Sequence, residues 1–293
     1  MSTDPAERLI LAPEERRPAV LDIIESARER LALSVFRCDD EPVLDALAAA
    51  VRRGVRVRAL VTSRAKGSKQ QLKQLYRTLK TAGADVRRYE DPVVRYHAKY
   101  IVADDGPAFI ASLNFTRKCF QATCDFVVVS YDRELVQGLT RLFDADWDGT
   151  RYAVSDVPGH RLIVGPEQAR RRFAALFEEA THRIRIIDPK ISDPAMMTLL
   201  RERAAAGLKV DIRGAEALGP LVPHGKLIMI DDATAVIGSI SLSTLALEFR
   251  RELAVVIRDR ASLIALEQFW TSLPGVPTGG ASAVFSGEPP HLA

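Results

Sequence analysis

Residues 97–114 read HAKYIVADDGPAFIASLN, and residues 224–241 read HGKLIMIDDATAVIGSIS. Both follow the spacing H-x-K-x4-D-x6-small-S, at an offset of 127 residues (97 to 224). The offset carries His97 onto His224, Lys99 onto Lys226, Asp104 onto Asp231 and Ser112 onto Ser239. It also carries Asp125 onto Glu252, within CDFVVVSYD and ELAVVIRD, and Phe143 onto Trp270 in two helical, apolar-periodic segments. One histidine two places before a lysine means little in a strand. Eight positions in register mean an internal repeat, and a repeat decides the architecture before any single element is assigned.

Upstream, ESARERLALSVF (25–36) is echoed by EEATHRIRIIDP (178–189), and GVRVRALV (54–61) by GLKVDIRG (207–214), at an offset of 153 (25 to 178). The first half therefore carries 26 extra residues (153 less 127) ahead of its motif. Within them SKQQLKQLYRTLKTAG (68–83) reads as a helix, capped by Ser68, stopped by Gly83 and striped by Leu72, Leu75, Tyr76 and Leu79. Arg64, Lys66, Lys69, Lys73, Arg77 and Lys80 lie between Thr62 and Ala84 with no acid among them, and Lys69, Lys73 and Arg77 share a helix face. The helix is expected to lead into the strand carrying His97 and to flank the cleft. Its basic face reads as a dock for anionic headgroups, a track for nucleic-acid phosphates, or a solvated surface. Tyr76 is the only aromatic residue there, so base stacking is not conspicuous and the balance tilts to lipid.

Each half reads as helix, strand, helix, strand, motif hairpin, further strand and closing helix, which predicts an α/β fold with a largely parallel sheet. The expected divisions are an N-terminal half 1–153, a C-terminal half 154–274 joined through VSDVPGH (154–160), and a loose Gly/Pro/Ser-rich tail 275–293. With 47% hydrophobic and 27% charged residues the 293-residue chain can bury a real core, and its net charge of +3 permits an anionic partner without demanding one. Cys38, Cys119 and Cys124 form no C-x-x-C pair and read as reduced thiols. The sequence shows neither a signal-peptide pattern nor an apolar run of about 20 residues, so a soluble cytoplasmic protein is expected.

Residues i and i+2 of a strand face the same way, so each motif hairpin gathers an imidazole, an ammonium and small donors. Two such clusters face to face suit a phosphodiester. Lys99 and Lys226, with Ser112, Asn114, Ser239 and Ser241, are candidates to hold phosphate oxygens and neutralise transition-state charge. One neutral imidazole can attack phosphorus, while the other, protonated, serves the leaving alkoxide and then acts as base. Asp125 and Glu252, each 28 residues beyond its histidine, are candidates to orient the imidazoles (97 to 125, 224 to 252). Asp104 and Asp231 have two readings, as members of the cluster or as plain turn residues. Neither half offers the ligand spacing of a zinc or two-metal centre, and His160, His182 and His291 read as isolated surface residues.

These residues resemble the phospholipase D superfamily, whose signature is H-x-K-x4-D-x6-G-[GS]-x-N, over most of the chain and in two copies. The resemblance implies an α/β/α sandwich, two halves related by a pseudo-twofold axis with one site between them, no cofactor, and a phosphohistidine intermediate. It implies His97 as nucleophile and His224 as acid and base. Ala111 stands where the family prefers glycine, and Ser241 where the second motif usually has asparagine. HGKLIMIDDATAVIGSISLSTLALEFRREL is similar to the second motif of bacterial cardiolipin synthases and related transphosphatidylases. The partner so implied is a phospholipid or membrane surface, met peripherally; nucleic acid is the alternative, a non-catalytic phosphate-binding module a third reading, and no obligate protein partner is evident.

Overall fold

The computed structural model describes residues 7–64, 69–153, 160–214, 216 and 218–274. The expectations placed on Lys66, Ser68, the joint at 154–159, the tail and His291 lie outside the described residues. The N-terminal part runs β1 (Glu7–Ile10), α1 (Pro13–Ser26), β2 (Arg30–Val35), α2 (Glu41–Arg52), β3 (Arg56–Thr62), α3 (Lys69–Thr81), β4 (Asp85–Tyr89), β5 (Arg95–Tyr96), β6 (Tyr100–Ala103), β7 (Ala108–Ala111), α4 (Arg117–Gln121), β8 (Thr123–Cys124), β9 (Val127–Ser130) and α5 (Arg133–Asp148). The C-terminal part runs β10 (Leu162–Gly165), α6 (Ala169–Glu179), β11 (Arg183–Ile187), α7 (Pro194–Ala205), β12 (Lys209–Arg213), β13 (Val222–Pro223), β14 (Lys226–Ile230), β15 (Thr234–Gly238), α8 (Thr244–Phe249), β16 (Arg250–Ile257) and α9 (Arg260–Ser272).

Two sheets result, ordered β1-β9-β7-β6-β2-β3-β4 and β10-β16-β15-β14-β11-β12. They are mixed, which corrects the expectation of largely parallel sheets. β2–β3, β3–β4 and β11–β12 pair in parallel through helical crossovers, whereas the other neighbours along these two orders pair antiparallel. The motif strands β6–β7 and β14–β15 are joined by turns too short to cross over, so they pair antiparallel. Four-residue edge strands β1 and β10, which periodicity did not reveal, close one side of each sheet antiparallel to β9 and β16.

The 26-residue insertion is a helix and a strand. α3 returns the chain to β4, which adds a parallel edge strand beyond β3, whereas the second sheet ends at β12. α3 therefore does not lead into the strand carrying His97. Its predicted stripe holds: Leu75 and Leu79 are buried, and Lys69, Lys73 and Arg77 are exposed.

One apolar cluster (Ile24, Leu33, Leu47, Phe120) seals the first sheet under α1, α2 and α4, and another (Phe173, Phe177, Leu200) seals the second under α6 and α7. A third cluster draws on both halves, joining Tyr96, Phe126 and Phe143 to Leu227, Leu253 and Trp270. α5 contributes to it because Leu135, Leu139, Leu142 and Phe143 recur at helical spacing; Asp132 caps its start and Gly149, at φ 66°, ends it. The halves are also bolted by charge. Arg251 on β16 meets Asp146 of α5 at 2.9 Å and Glu167 at 2.5 Å, all poorly exposed. No described helix is long and apolar enough to cross a membrane.

Candidate active site

Two very short strand pairings build the site. β5 runs parallel to the start of β16, placing Arg95 opposite Arg250 and Tyr96 opposite Arg251, and the His97 amide donates to the Arg251 carbonyl at 2.9 Å. Reciprocally, β13 pairs with β8, and the Gly225 amide donates to the Cys124 carbonyl at 2.6 Å. A Cβ at position 225 would stand 2.6 Å from that carbonyl, so this approach requires glycine. Each motif's histidine is thus delivered to the carboxylate of the other half. His97 Nδ1 bonds Glu252, and His224 Nδ1 lies 2.9 and 3.0 Å from the two oxygens of Asp125. Asp125 and Glu252 each contact an imidazole Nδ1, but across the molecule and not within their own halves.

The two pairs differ electrostatically. Burial opposes ionisation of Asp125, yet His224 and the hydroxyls of Ser112 (2.6 Å) and Thr123 (2.5 Å) hold its carboxyl below the usual range. Glu252 has no comparable hydroxyl support. Burial pushes it up to about 7, against the pull of Lys99, Arg250 and Lys226. His97 is held well below an ordinary histidine, by desolvation first and then by Lys99, Arg250, Lys226 and His224. That Lys226 and His224 act on His97 at all places both motifs on one space.

Lys99 and Lys226 are both buried, and each ammonium donates to the carbonyl of its own motif's histidine. Lys99 also lies 3.1 Å from His97 Nδ1 and 5.1 Å above the Phe36 ring, which packs edge-on against His97 at 4.3 Å. Burial lowers the proton affinity of Lys99 well below that of a free lysine; Glu252 opposes this, and Lys226 and Arg250 add to it.

Several expected roles change. Asp104 and Asp231 sit at the far ends of β6 and β14 from the histidines, seven residues (97 to 104, 224 to 231) and about 23 Å along the chain. Both adopt positive φ (47° and 49°), and each accepts three backbone amides, of Arg28, Glu29 and Arg30 or of Thr181, His182 and Arg183. The turn reading is the correct one. Ser112, Ser239 and Ser241 are buried, with hydroxyls given to Asp125, to the Leu253 carbonyl and to Asp188 respectively. They brace the site from behind and do not present donors to a phosphate. Asn114 differs: it is buried too, but its Oδ1 has no hydrogen-bond partner among the described residues. His160 is buried, with Nδ1 3.2 Å from the Leu162 carbonyl, while His182 is exposed as expected.

Four participants escaped the sequence reading: Phe36, Asp188, Lys190 and Arg250. Asp188 accepts from Ser241 and from the amides of Leu242 and Lys190, and Lys190 responds electrostatically to Lys226 and Arg250. The acid in IIDPK at a strand end was the available signal for Asp188. One donor trio also spans both halves, which is why no spacing within either half shows it. Cys119, Asp125 and His224 bring ligand atoms within 4.8 Å of one another. These are zinc-type donors, although the Asp125 oxygens are already shared among Ser112, Thr123 and His224.

Residues 20–147 match the family described as cardiolipin synthase, PLD-like domain. Cardiolipin synthase A of Pseudomonas entomophila is 27% identical over 132 residues, which is 45% of this chain and 28% of that protein. The match thus spans little more than a quarter of that relative's length. Among solved structures, phosphatidylserine synthase from Haemophilus influenzae superposes with a TM-score of 0.69 at 11% identity, covering 91% of this chain and 85% of that one. Polyphosphate kinase from Porphyromonas gingivalis gives a TM-score of 0.73 at 16% identity, over 89% of this chain and 46% of that one. At such identities the likeness shows the fold: α/β layers with sheets arranged as in those proteins.

Proposed function

We propose that the chain is of the phospholipase D type, as its match to the cardiolipin synthase, PLD-like domain over residues 20–147 supports, and that it is a metal-independent phosphodiesterase that cleaves or transfers a phosphatidyl group at the surface of a membrane. The observation that carries this reading is the crossed and unequal pairing of the two histidines. His224 has the lowered carboxyl of Asp125 at its Nδ1, the arrangement that suits a general acid. His97 is neutral beside a carboxyl that ionises near neutrality, which favours a nucleophile.

In the proposed cycle Glu252, once ionised, accepts the Nδ1 proton of His97 and leaves the Nε2 lone pair free. Nε2 attacks phosphorus, the bond to the leaving oxygen breaks, and His224 protonates the departing alkoxide. His224, now neutral, removes a proton from water or an alcohol, whose oxygen displaces His97 from phosphorus. Lys99, Lys226, Asn114 and Arg250 supply the charge and hydrogen-bonding capacity around the non-bridging oxygens.

The test uses mixed anionic and zwitterionic phospholipid vesicles with a little ethanol, in EDTA. Mass spectrometry should find phosphatidylethanol with the wild-type protein and none with His97→Ala. Activity lost in EDTA would remove the metal-free claim. No lipid product, with cleavage of an aryl phosphodiester retained, would move the substrate to nucleic acid. No turnover of either would leave a phosphate-binding module.

A further inference from the structure

Outside the histidine cluster, one depression of about 510 Å3 gathers cations without a carboxylate in its lining. Arg64, Lys69, Lys73, Arg88 and Arg95 surround it, with the Ser63 hydroxyl. The chain pairs its other arginines freely, as in Arg58–Asp144, Arg161–Glu7 and Arg170–Asp193. Among the described residues these five cations make no ion pair with an acid. Arg88 is instead set in place by stacking 4.6 Å from the Tyr76 ring of α3. Glu90 and Asp91 line an adjoining depression with Arg64 and Arg88, but Asp91 is occupied by the amides of Val93 and Val94. Gathering five like charges costs free energy that a bound dianion would relieve.

The position of the pocket relative to the histidines is fixed by β5. Arg95 precedes His97 by two residues, so the two face the same way about 7 Å apart along the chain. Across the β5–β16 pairing Arg95 stands opposite Arg250, one of the cations that act on His97. Most of the pocket comes from the segment that breaks the repeat, α3 and β4, with Ser63 and Arg64 after β3. Among the described residues the second sheet has no strand matching β4, so no counterpart of this pocket is built there beside His224.

We propose that this pocket is a subsite for a second phosphate on the group that stays on phosphorus when the leaving alkoxide departs, on the His97 side of the cleft. The proposal rests on the phosphodiesterase reading and narrows its substrate class to diesters whose retained group bears a second phosphate. A lone cationic pocket on one side of a pseudo-symmetric cleft would orient such a substrate in one sense only.

Two chromogenic probes test it: p-nitrophenyl phosphoglycerol, and the same diester with a second phosphate on the glycerol. The wild-type protein should favour the two-phosphate probe by ~10-fold or more in kcat/KM, chiefly through KM. The double variant Lys69→Ser/Lys73→Ser, on an exposed helix face, should lose that preference and keep its rate on the one-phosphate probe within about twofold. Equal use of both probes by the wild type, or a preference that survives the double variant, would overturn the subsite. Efficiency on single-stranded oligonucleotides that climbs with every phosphate beyond the second would also overturn it, in favour of a nucleic-acid track. If neither probe is cleaved, the catalytic reading fails by itself. Calorimetric titration with pyrophosphate then decides the pocket: binding weakened ~10-fold in the double variant supports it, and no binding refutes it.

Discussion

Replacing Asp125 by asparagine keeps the side-chain volume and removes one negative charge next to His224 Nδ1, where two carboxylate oxygens now lie at 2.9 and 3.0 Å. With charge centres about 4 Å apart and an effective dielectric constant of about 20, the ion pair contributes about 4 kcal/mol. That is an upper bound, because the hydroxyls of Ser112 and Thr123 can reorient toward an amide. His224 is proposed to act in its protonated form, so losing the pair lowers the pH at which activity disappears on the alkaline side. The acid limb, which belongs to His97 and Glu252, should stay where it is. At pH 7.5 the expected loss in kcat/KM is ~100- to 1,000-fold. The assay is aryl phosphodiester hydrolysis from pH 5 to 9.5, with a thermal melt to confirm that the variant is folded. An unmoved alkaline limb, or a shift of the acid limb instead, would refute the assignment of His224 as the acid.

Glu252→Gln should act on the other limb. Glu252 titrates at about 7, and its ionised form frees His97 Nε2, so the acid limb near that pH should move lower, with a plateau reduced ~10-fold. A pH profile taken on the same probe checks this. Asp231→Asn should leave kcat unchanged and lower stability by about 1–3 kcal/mol, since three backbone amides lose a charged acceptor. The folded carboxyl is depressed to about 2, so the lost stability is that present above the unfolded value near 4 and absent as pH falls through about 2; melts at pH 7 and pH 2 should differ accordingly. Arg251→Met strips Asp146 and Glu167 of their buried partner and should cost about 3–5 kcal/mol in denaturant unfolding. Ser241→Asn, which restores the residue usual in the family signature, should lower the melting temperature without raising kcat, because the buried hydroxyl already serves Asp188 and the larger amide overpacks the site.

What could be read from the sequence was whatever repeats. The offsets located both motifs, the insertion and the two carboxylates, because an α/β repeat preserves the order of its parts. The partners of those carboxylates were not legible. They are set by β5–β16 and β8–β13, pairings in which one strand has two residues and no periodicity to betray it. The serine hydroxyls were misjudged for a related reason. Facing a site and facing the carboxylate behind it look alike at the level of strand alternation, and burial alone separates them. Asp104 and Asp231 carried both readings until the positive φ and the three amides on each carboxylate decided for the turn. Position 111 shows why a motif tolerates drift in one copy. A Cβ at Gly238 would lie 2.2 Å from the Leu253 carbonyl, whereas the equivalent Ala111 pairs with Val127 and keeps its methyl buried.

The crossed carboxylates have a consequence for the newly made chain. By the time Ser130 leaves the ribosome, the first sheet has all its strands, yet neither β16, which positions His97, nor its carboxylate Glu252 has been synthesised. Asp125 likewise waits for His224, nearly a hundred residues later. On the proposed mechanism, phosphoryl transfer cannot start from a half-made molecule, and whatever separates the halves afterwards, whether a protease nick or partial unfolding, parts both histidines from their carboxylates at once.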